Sequence, residues 1–573
     1  MYVIIIFIQI PLFLLDTLPC VPTAYYFSTH TFNTMDTYFT TLKTYLPWIV
    51  GALLILMIFG RDLFGWQTVF LLDYVPTPIR TRDWSRYVTI PWIWVVHDGL
   101  SVLLWYVFWS KVYLLTIVIL TLILWYRWGS LIRTWTKSDH SFLPELGMVL
   151  MIYNPVFSSR MGTQPWVWLG IVLLWFGLYH LIKHRDRINI RDSLTVWAYR
   201  GIAMMSMNHA SFMIAWLLLV LIIVRHQWKI LWSAAIIATI VWLLNLNRIL
   251  AGVLWVTTTV EQANTFSQAN ITEFMTRDHS WLGPVVTSML WYGFWGEKTW
   301  SAYAPTRANP RRWIAGLVLL IIAWYGLTRR YRHDRCQTWF FFTVIVISLI
   351  LGIGIASQVL EPSVQRLYDH VPWYRGLREP HKWVWLYMMC IIPLMLYGVS
   401  QGHKLIKQYI TPWQLALLIW VIAIARVPGV MNQMMLRYDT TDYPKTYAQA
   451  RDFLSTSTWS WQWLQLPWHS YHRCQWTNKV ISNTFTPYMY PVPVIVSDNI
   501  EIWQLYTNSS NERSRVIEWY LQSHDVADLS GYNIQGIIYL TQCADFNNYK
   551  RIETDPNLTL IKDLGDVKIF KFK

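Results

Sequence analysis

Eleven apolar segments of 15 to 20 residues run through this chain, at 46–60, 112–126, 142–157, 166–182, 193–207, 210–224, 230–244, 313–327, 338–357, 383–400 and 411–427. About 20 apolar residues in a helix match the hydrocarbon thickness of a bilayer, and shorter runs reach it by extending into their flanks. Burial in a soluble core is the alternative, and composition removes it. Residues AVILMFWYC make up 54% of the chain and charged residues only 14%. A soluble chain of this size could not solvate so much apolar surface, and a disordered one would be rich in charge. The expectation is a mainly α, polytopic transmembrane helix bundle of about eleven spans. Its 38 Trp and 33 Tyr suit a chain with many membrane–water boundaries, where amphipathic rings settle.

Orientation follows from short basic loops. With the amino end of the 46–60 span inside, the inner loops are 127–141, 183–192, 225–229, 328–335 and 401–410. They hold 15 Lys+Arg in 48 residues, against 16 in the 152 residues of the outer connections 61–111, 158–165, 245–312 and 358–382. Short loops dominate topology, so this threefold difference in density sets the direction. The segment 193–207 carries Arg200 at its middle and is the weakest span, since a charge there normally faces a bundle interior. The stretches 92–108, with His97-Asp98-Gly99, and 283–296 read instead as helices lying in the outer interface. The first 34 residues read as an extension or loose extra anchor ahead of a more ordinary start at Met35.

Charge divides the chain in two. Residues 1–428 carry 34 Lys+Arg against 18 Asp+Glu, and residues 429–573 carry 13 against 14. The basic part is the membrane part, as anionic lipid or topology control requires; no basic, aromatic-interleaved module points to nucleic acid. Residues 429–573 read as a soluble extracytoplasmic α/β domain. Val492–Val496 and Ile537–Leu540 are strand-like, Arg513–Ser523 is helix-like, and Val567–Phe572 alternates apolar and basic residues as an edge strand does. Of five cysteines, Cys474 and Cys543 share this tail; two free thiols are the expectation, with a disulfide the alternative outside the cytosol.

Three constellations could carry chemistry. The first outer loop holds Asp73, followed by Pro76 and Pro78, then Arg80, Arg82, Asp83 and Arg86. A carboxylate in a proline-restrained loop can reach a hydroxyl proton at the membrane surface, and guanidinium forks suit phosphate. A solvated Asp among headgroup-binding arginines is the plainer alternative. The second is the turn NPVFSSRMGTQP at 154–165, with Arg160, which equally serves as Pro/Gly punctuation. The third is PWYRGLREPHKW at 372–383, where Arg375, Arg378, His381 and Lys382 gather at an outer boundary. A lipid phosphate fits that cluster, as does simple snorkelling. No DxD or ExD metal motif is expected in this chain, and it has no HExxH, Walker A or GxSxG motif.

The Asp73…Pro76 loop, the NPVFSSRMGTQP turn, the GLREPHKW boundary and the tail segment LPWHSY at 466–471 occur in an order that resembles bacterial membrane proteins of GT-C-type glycosyltransferase architecture. The YfhO-like and arabinofuranosyltransferase-like groups look most similar. The resemblance implies a sugar taken from a polyprenyl-phosphate donor at the outer leaflet and passed to an envelope glycan or lipid acceptor. It assigns Asp73 as base and Arg375, Arg378 and Lys382 as phosphate ligands. The missing paired acids leave both a divalent-metal cofactor and catalysis itself open. A non-catalytic envelope protein (a lipid-linked-sugar binder, accessory subunit or transporter) is the alternative.

Overall fold

The computed structural model describes most of residues 110–184, 272–293, 310–370, 379–426 and 439–573, with residues 46–56 and 68–70. Apart from Tyr199, the proposed spans 193–207, 210–224 and 230–244 and the segment 92–108 lie outside the described residues.

In the membrane part, α1 is Ser110–Thr136, α2 Leu143–Ile152, α3 Pro155–Met161, α4 Pro165–Lys183 and α5 Gly283–Met289. Then follow α6 Pro310–Tyr331, α7 Arg335–Ile353, α8 Glu361–His370, α9 His381–Ile406 and α10 Pro412–Arg426. Among the described residues four helices are long and apolar enough to cross a bilayer: Leu114–Thr136, Trp313–Tyr331, Arg335–Ala356 and Lys382–Ile406. The last, α9, is buried along its whole apolar length and forms the axis of the bundle.

Two glycines make the tightest crossing. A Cβ at Gly326 of α6 would lie 2.0 Å from the Leu394 carbonyl oxygen of α9, and one at Gly398 would lie 2.1 Å from the Ile322 oxygen. Bare backbones therefore touch, the device by which membrane helices gain packing where lipid is as apolar as leucine. Gly147 of α2 does the same against α1, with Trp125 O 2.8 Å from its missing Cβ.

Just beyond Gly326 the basic run 329–335 divides. Arg330 is buried, its guanidinium 4.2 Å from the Trp135 ring of α1 and 5.3 Å from the Tyr397 ring of α9. It donates to Gln337 Oε1 of α7 and lies 3.8 Å from Asp334. Asp334 caps α7 by accepting from the Gln337 N–H at 2.9 Å. One cation thus joins four helices, and cation–π contacts gain strength where water is excluded.

Several expectations are corrected. The loop expected at 127–141 is shorter, because α1 continues to Thr136, whose carbonyl accepts from Lys404 Nζ at 3.0 Å. NPVFSSRMGTQP is not a bare turn: Asn154 Oδ1 accepts the Val156 N–H at 2.8 Å and Pro155 starts α3, the usual polar-cap and first-turn-proline signature. The segment 283–296 does not lie wholly at an interface, since Trp291 and Tyr292, which follow α5, are buried in the bundle.

The carboxy-terminal part begins with strand β2, Asp439–Thr441, antiparallel to β1, Thr68–Phe70, of the first loop. Helix α11, Lys445–Ser455, leads to β3, Gln462–Leu466. Later come β4 Tyr471–His472, β5 Ile481–Ser482, β6 Val494–Ile495, β7 Glu501–Ile502, β8 Leu505–Tyr506, α12 Glu512–Ser523, β9 Ile534–Leu540, β10 Leu558–Asp563 and β11 Val567–Phe572. One five-stranded sheet has the order β10-β11-β9-β3-β6, antiparallel at β10/β11/β9 and parallel at β9/β3/β6. Alternate residues serve opposite faces. Trp463, Ile538, Leu540, Val567 and Ile569 pack with α11; Leu464, Leu466, Ile537, Tyr539 and Phe570 pack with α12. So β11 is an inner strand, contrary to the edge expectation, and the edge is β10. The alternation of β11 reports where its side chains go, whereas edge position depends on which strands pair. Cys474 and Cys543 form a disulfide, contrary to the expected free thiols. Their 69-residue separation hid the proximity that the β3/β9 pairing creates.

Gly326→Val or Gly398→Val should abolish the monodisperse peak in detergent size-exclusion chromatography. Gly402→Ala, whose Cβ would meet only Tyr325 Cε1 at 3.9 Å, should leave it intact. Thiol labelling of denatured protein should rise by two cysteines on reduction, and peptide mapping should assign them to Cys474 and Cys543.

Candidate functional site

The boundary motif of the third constellation sits where α7 ends and α9 begins. Gly352 and Gly354 let these ends meet: a Cβ at Gly352 would lie 2.8 Å from Val384 Cγ2, and Gly354, at φ +51°, faces the Pro380 ring. Thr276 donates its hydroxyl to the Gly352 carbonyl at 2.5 Å, fastening the 272–277 segment to the same corner. Pro380 precedes α9, and the Trp383 N–H returns to the Pro380 carbonyl at 2.9 Å. Residues 371–378, with Arg375 and Arg378, lie outside the described residues and join this corner through Glu379.

Lys382 is buried, and its Nζ lies 3.3 Å from Glu379 Oε1. Its charge is thus partly answered within the motif itself, so its first role is to hold the start of α9. His381 is the first residue of that helix, and Arg160 lies in α3.

Asp73, Arg80 and Arg82 lie outside the described residues, but the chain leading to them does not. Strand β1 ends at Phe70, three residues before Asp73, with Thr68 opposite Thr441 and Phe70 opposite Asp439. The first loop is thereby tied to the entry of the carboxy-terminal part, and both pairing strands share one side of the bilayer.

Sequence reasoning passed over Arg426 at the end of α10. Its guanidinium is buried 4.0 Å from the Trp291 ring and 5.3 Å from the Tyr292 ring, and it donates to the Leu290 carbonyl. Tyr387 on α9 donates to the Met289 carbonyl at 2.9 Å. Together they fix the turn after α5 beside α9 and α10. The signal was a lone arginine closing an otherwise uncharged helix.

Among the described residues no three His, Cys, Asp or Glu side chains converge to hold a metal ion. One ExD triplet occurs in the tail, Glu553-Thr554-Asp555, but Glu553 pairs with Lys568 at 3.0 Å on the sheet.

If Lys382 is primarily structural, Lys382→Met leaves Glu379 buried without its lysine and should cost about 3–5 kcal/mol. The double variant with Glu379→Gln should recover most of that in thermal unfolding. No recovery would mean that the pair is not what holds the corner.

No family model matches this sequence, and no curated protein matches it. Among solved structures, the arabinofuranosyltransferase AftD from mycobacteria superposes with a TM-score of 0.59 at 13% identity, over 92% of this chain and 40% of that one. A mutant form of the same enzyme gives 0.59 at 12% identity, over 92% and 41%. This chain thus spans about two fifths of those structures. At this identity the likeness is one of fold alone: the described elements are arranged as in the aligned part of that enzyme.

Proposed function

We propose that this chain is a membrane glycosyltransferase that moves a sugar from a polyprenyl-phosphate-linked donor to an extracytoplasmic envelope glycan or lipid acceptor. The observation that carries the reading is the β1–β2 pairing, which links the loop of the candidate base to the start of the carboxy-terminal part. Pairing across one side of the bilayer demands an even number of crossings between residues 70 and 439, and the ten spans read after the first loop satisfy it. The Cys474–Cys543 disulfide supports an oxidising compartment for residues 429–573, hence the extracytoplasmic side.

In this reading Asp73 takes the proton from the acceptor hydroxyl. The acceptor oxygen forms the new bond to the anomeric carbon as the bond from that carbon to the phosphate oxygen breaks. The phosphate leaves with the electron pair, and Arg375, Arg378 and His381 stabilise its charge. Arg80, Arg82 and Arg160 are further candidates for the donor's phosphate at the membrane surface. Lys382 acts through Glu379, keeping the segment with Arg375 and Arg378 in place. Pro76 and Pro78 limit the backbone after Asp73, so its carboxylate is held.

Asp73→Asn should fold and insert normally, since a surface aspartate contributes less than about 0.5 kcal/mol. Transfer of labelled sugar from polyprenyl-phosphate sugars should fall by roughly 10²–10⁴-fold. Loss in Asp83→Asn or Asp98→Asn instead would move the base within the loop. Full activity in all three would favour the non-catalytic binder.

A further inference from the structure

The parallel strands β6, β3 and β9 all end at one edge of the sheet, and the loops that follow them are bound to one another. After β3, Ser470 donates to the Asn499 carbonyl and, at 2.8 Å, to Asn499 Oδ1 in the loop after β6. After β9, the Ala544 N–H donates to the Arg473 carbonyl at 2.7 Å, and the Cys474–Cys543 bond cross-links the same two loops. The carboxyl edge of parallel strands is where ligands of such sheets settle, because the diverging loops leave a crevice there.

This edge carries a polar track that runs inward. Asp545, at φ +65°, is 59% exposed at its side chain and lies 3.7 Å from His469 Nε2. His469 acts electrostatically on His472, which is 2% exposed. His472 Nε2 lies 3.0 Å from Gln465 Nε2, and Gln465 is 1% exposed. At the inner end, Gln465 Oε1 and His472 Nδ1 have no hydrogen-bond partner among the described residues. Buried polar atoms left so are costly and mark a place where something else supplies the bond. Burial first, and then the nearby His469, push the His472 pKa down to about 3, so its ring is neutral at physiological pH.

The edge also faces the right way. Thr446, at the start of α11, donates to Asp566 Oδ2 at 3.1 Å, and the Thr541 N–H after β9 donates to the Asp566 carbonyl at 3.0 Å. The amino end of α11 therefore lies at this edge. It begins four residues after β2, at most about 14 Å of extended chain, and β2 is bound to the strand that precedes Asp73.

We propose that this edge binds the acceptor as a neutral saccharide, with Gln465, His469, Ser470, His472, Asn499 and Asp545 supplying its polar contacts. The acceptor role rests on the glycosyl-transfer reading above; saccharide binding itself does not. Neutral amides, hydroxyls and an uncharged imidazole match a ligand rich in hydroxyls that both donate and accept. Asp545 disfavours an anion at the mouth, and no metal-ligating triad competes for the site among the described residues.

The test is saturation-transfer NMR on the full-length protein in detergent, with neutral pentose and hexose tetrasaccharides as probes and an acidic tetrasaccharide as control. At least one neutral probe should bind. His469→Ala and Asp545→Gly, the latter tolerant of positive φ, should each weaken it tenfold or more, while Asp73→Asn should bind as wild type. Failure of every neutral probe at millimolar concentration, equal binding of the acidic control, or undiminished binding in both site variants would overturn the proposal. Binding without transfer would sink only the enzyme reading. Transfer by Asp545→Gly with an unchanged acceptor KM would sink only the acceptor role assigned to this edge.

Discussion

The bundle depends on two backbones touching. Where α6 crosses α9, glycines 326 and 398 remove the side chains that would otherwise hold the helices apart, and each faces a carbonyl of the other helix. That contact fixes α9 as the buried axis. The amino end of α9 then sets the corner with Gly352, Gly354 and the Glu379–Lys382 pair, and Tyr397, the neighbour of Gly398, faces Arg330. Dispersion at such close range compensates for the absence of a hydrophobic drive between helices in lipid. The two buried arginines then act as rivets near opposite ends of the bundle: Arg330 at the close of α6, Arg426 at the close of α10.

How much of this could be read beforehand depended on which physical rule wrote the residue choice. Membrane segments were legible because the bilayer imposes length and apolarity on each independently; α4, α6, α7, α9 and α10 fall where the apolar runs lie. Their ends were less legible. Arg127, Arg133 and Lys137 read as loop cations, yet α1 carries the first two, since a long basic side chain can reach an interface from inside a helix. Likewise Arg330 belonged to a run that looked uniformly solvated, and only tertiary packing separates the one that turns inward from its neighbours.

The candidate site was half legible. The resemblance gathered Asp73 and the 375–382 cations from motif order, but the Glu379–Lys382 pairing depends on a helix start that spacing alone leaves ambiguous. The sheet was legible strand by strand and not in its order: Val567–Phe572 declared its two faces but not its neighbours. The polar edge was less visible still, because Gln465, His472 and Asp545 are separated by up to 80 residues and meet only through the β3/β9 pairing. LPWHSY drew notice as a resemblance, although its chemistry comes from what the cross-linked loop opposite contributes.

The pairing of β1 with β2 carries a consequence for how the molecule is made. The first loop leaves the ribosome early, but its partner strand follows about 370 residues later, after every span between them has been laid down. At roughly 5–20 residues per second that interval is on the order of 20–70 s. Throughout it, the strand before Asp73 is without the Asp439–Thr441 segment that pairs with it. The loop of the candidate base acquires this pairing only once Asp439–Thr441 has been made, so a nascent chain carries the loop without it. Arming of the loop is thereby timed by the emergence of Asp439–Thr441.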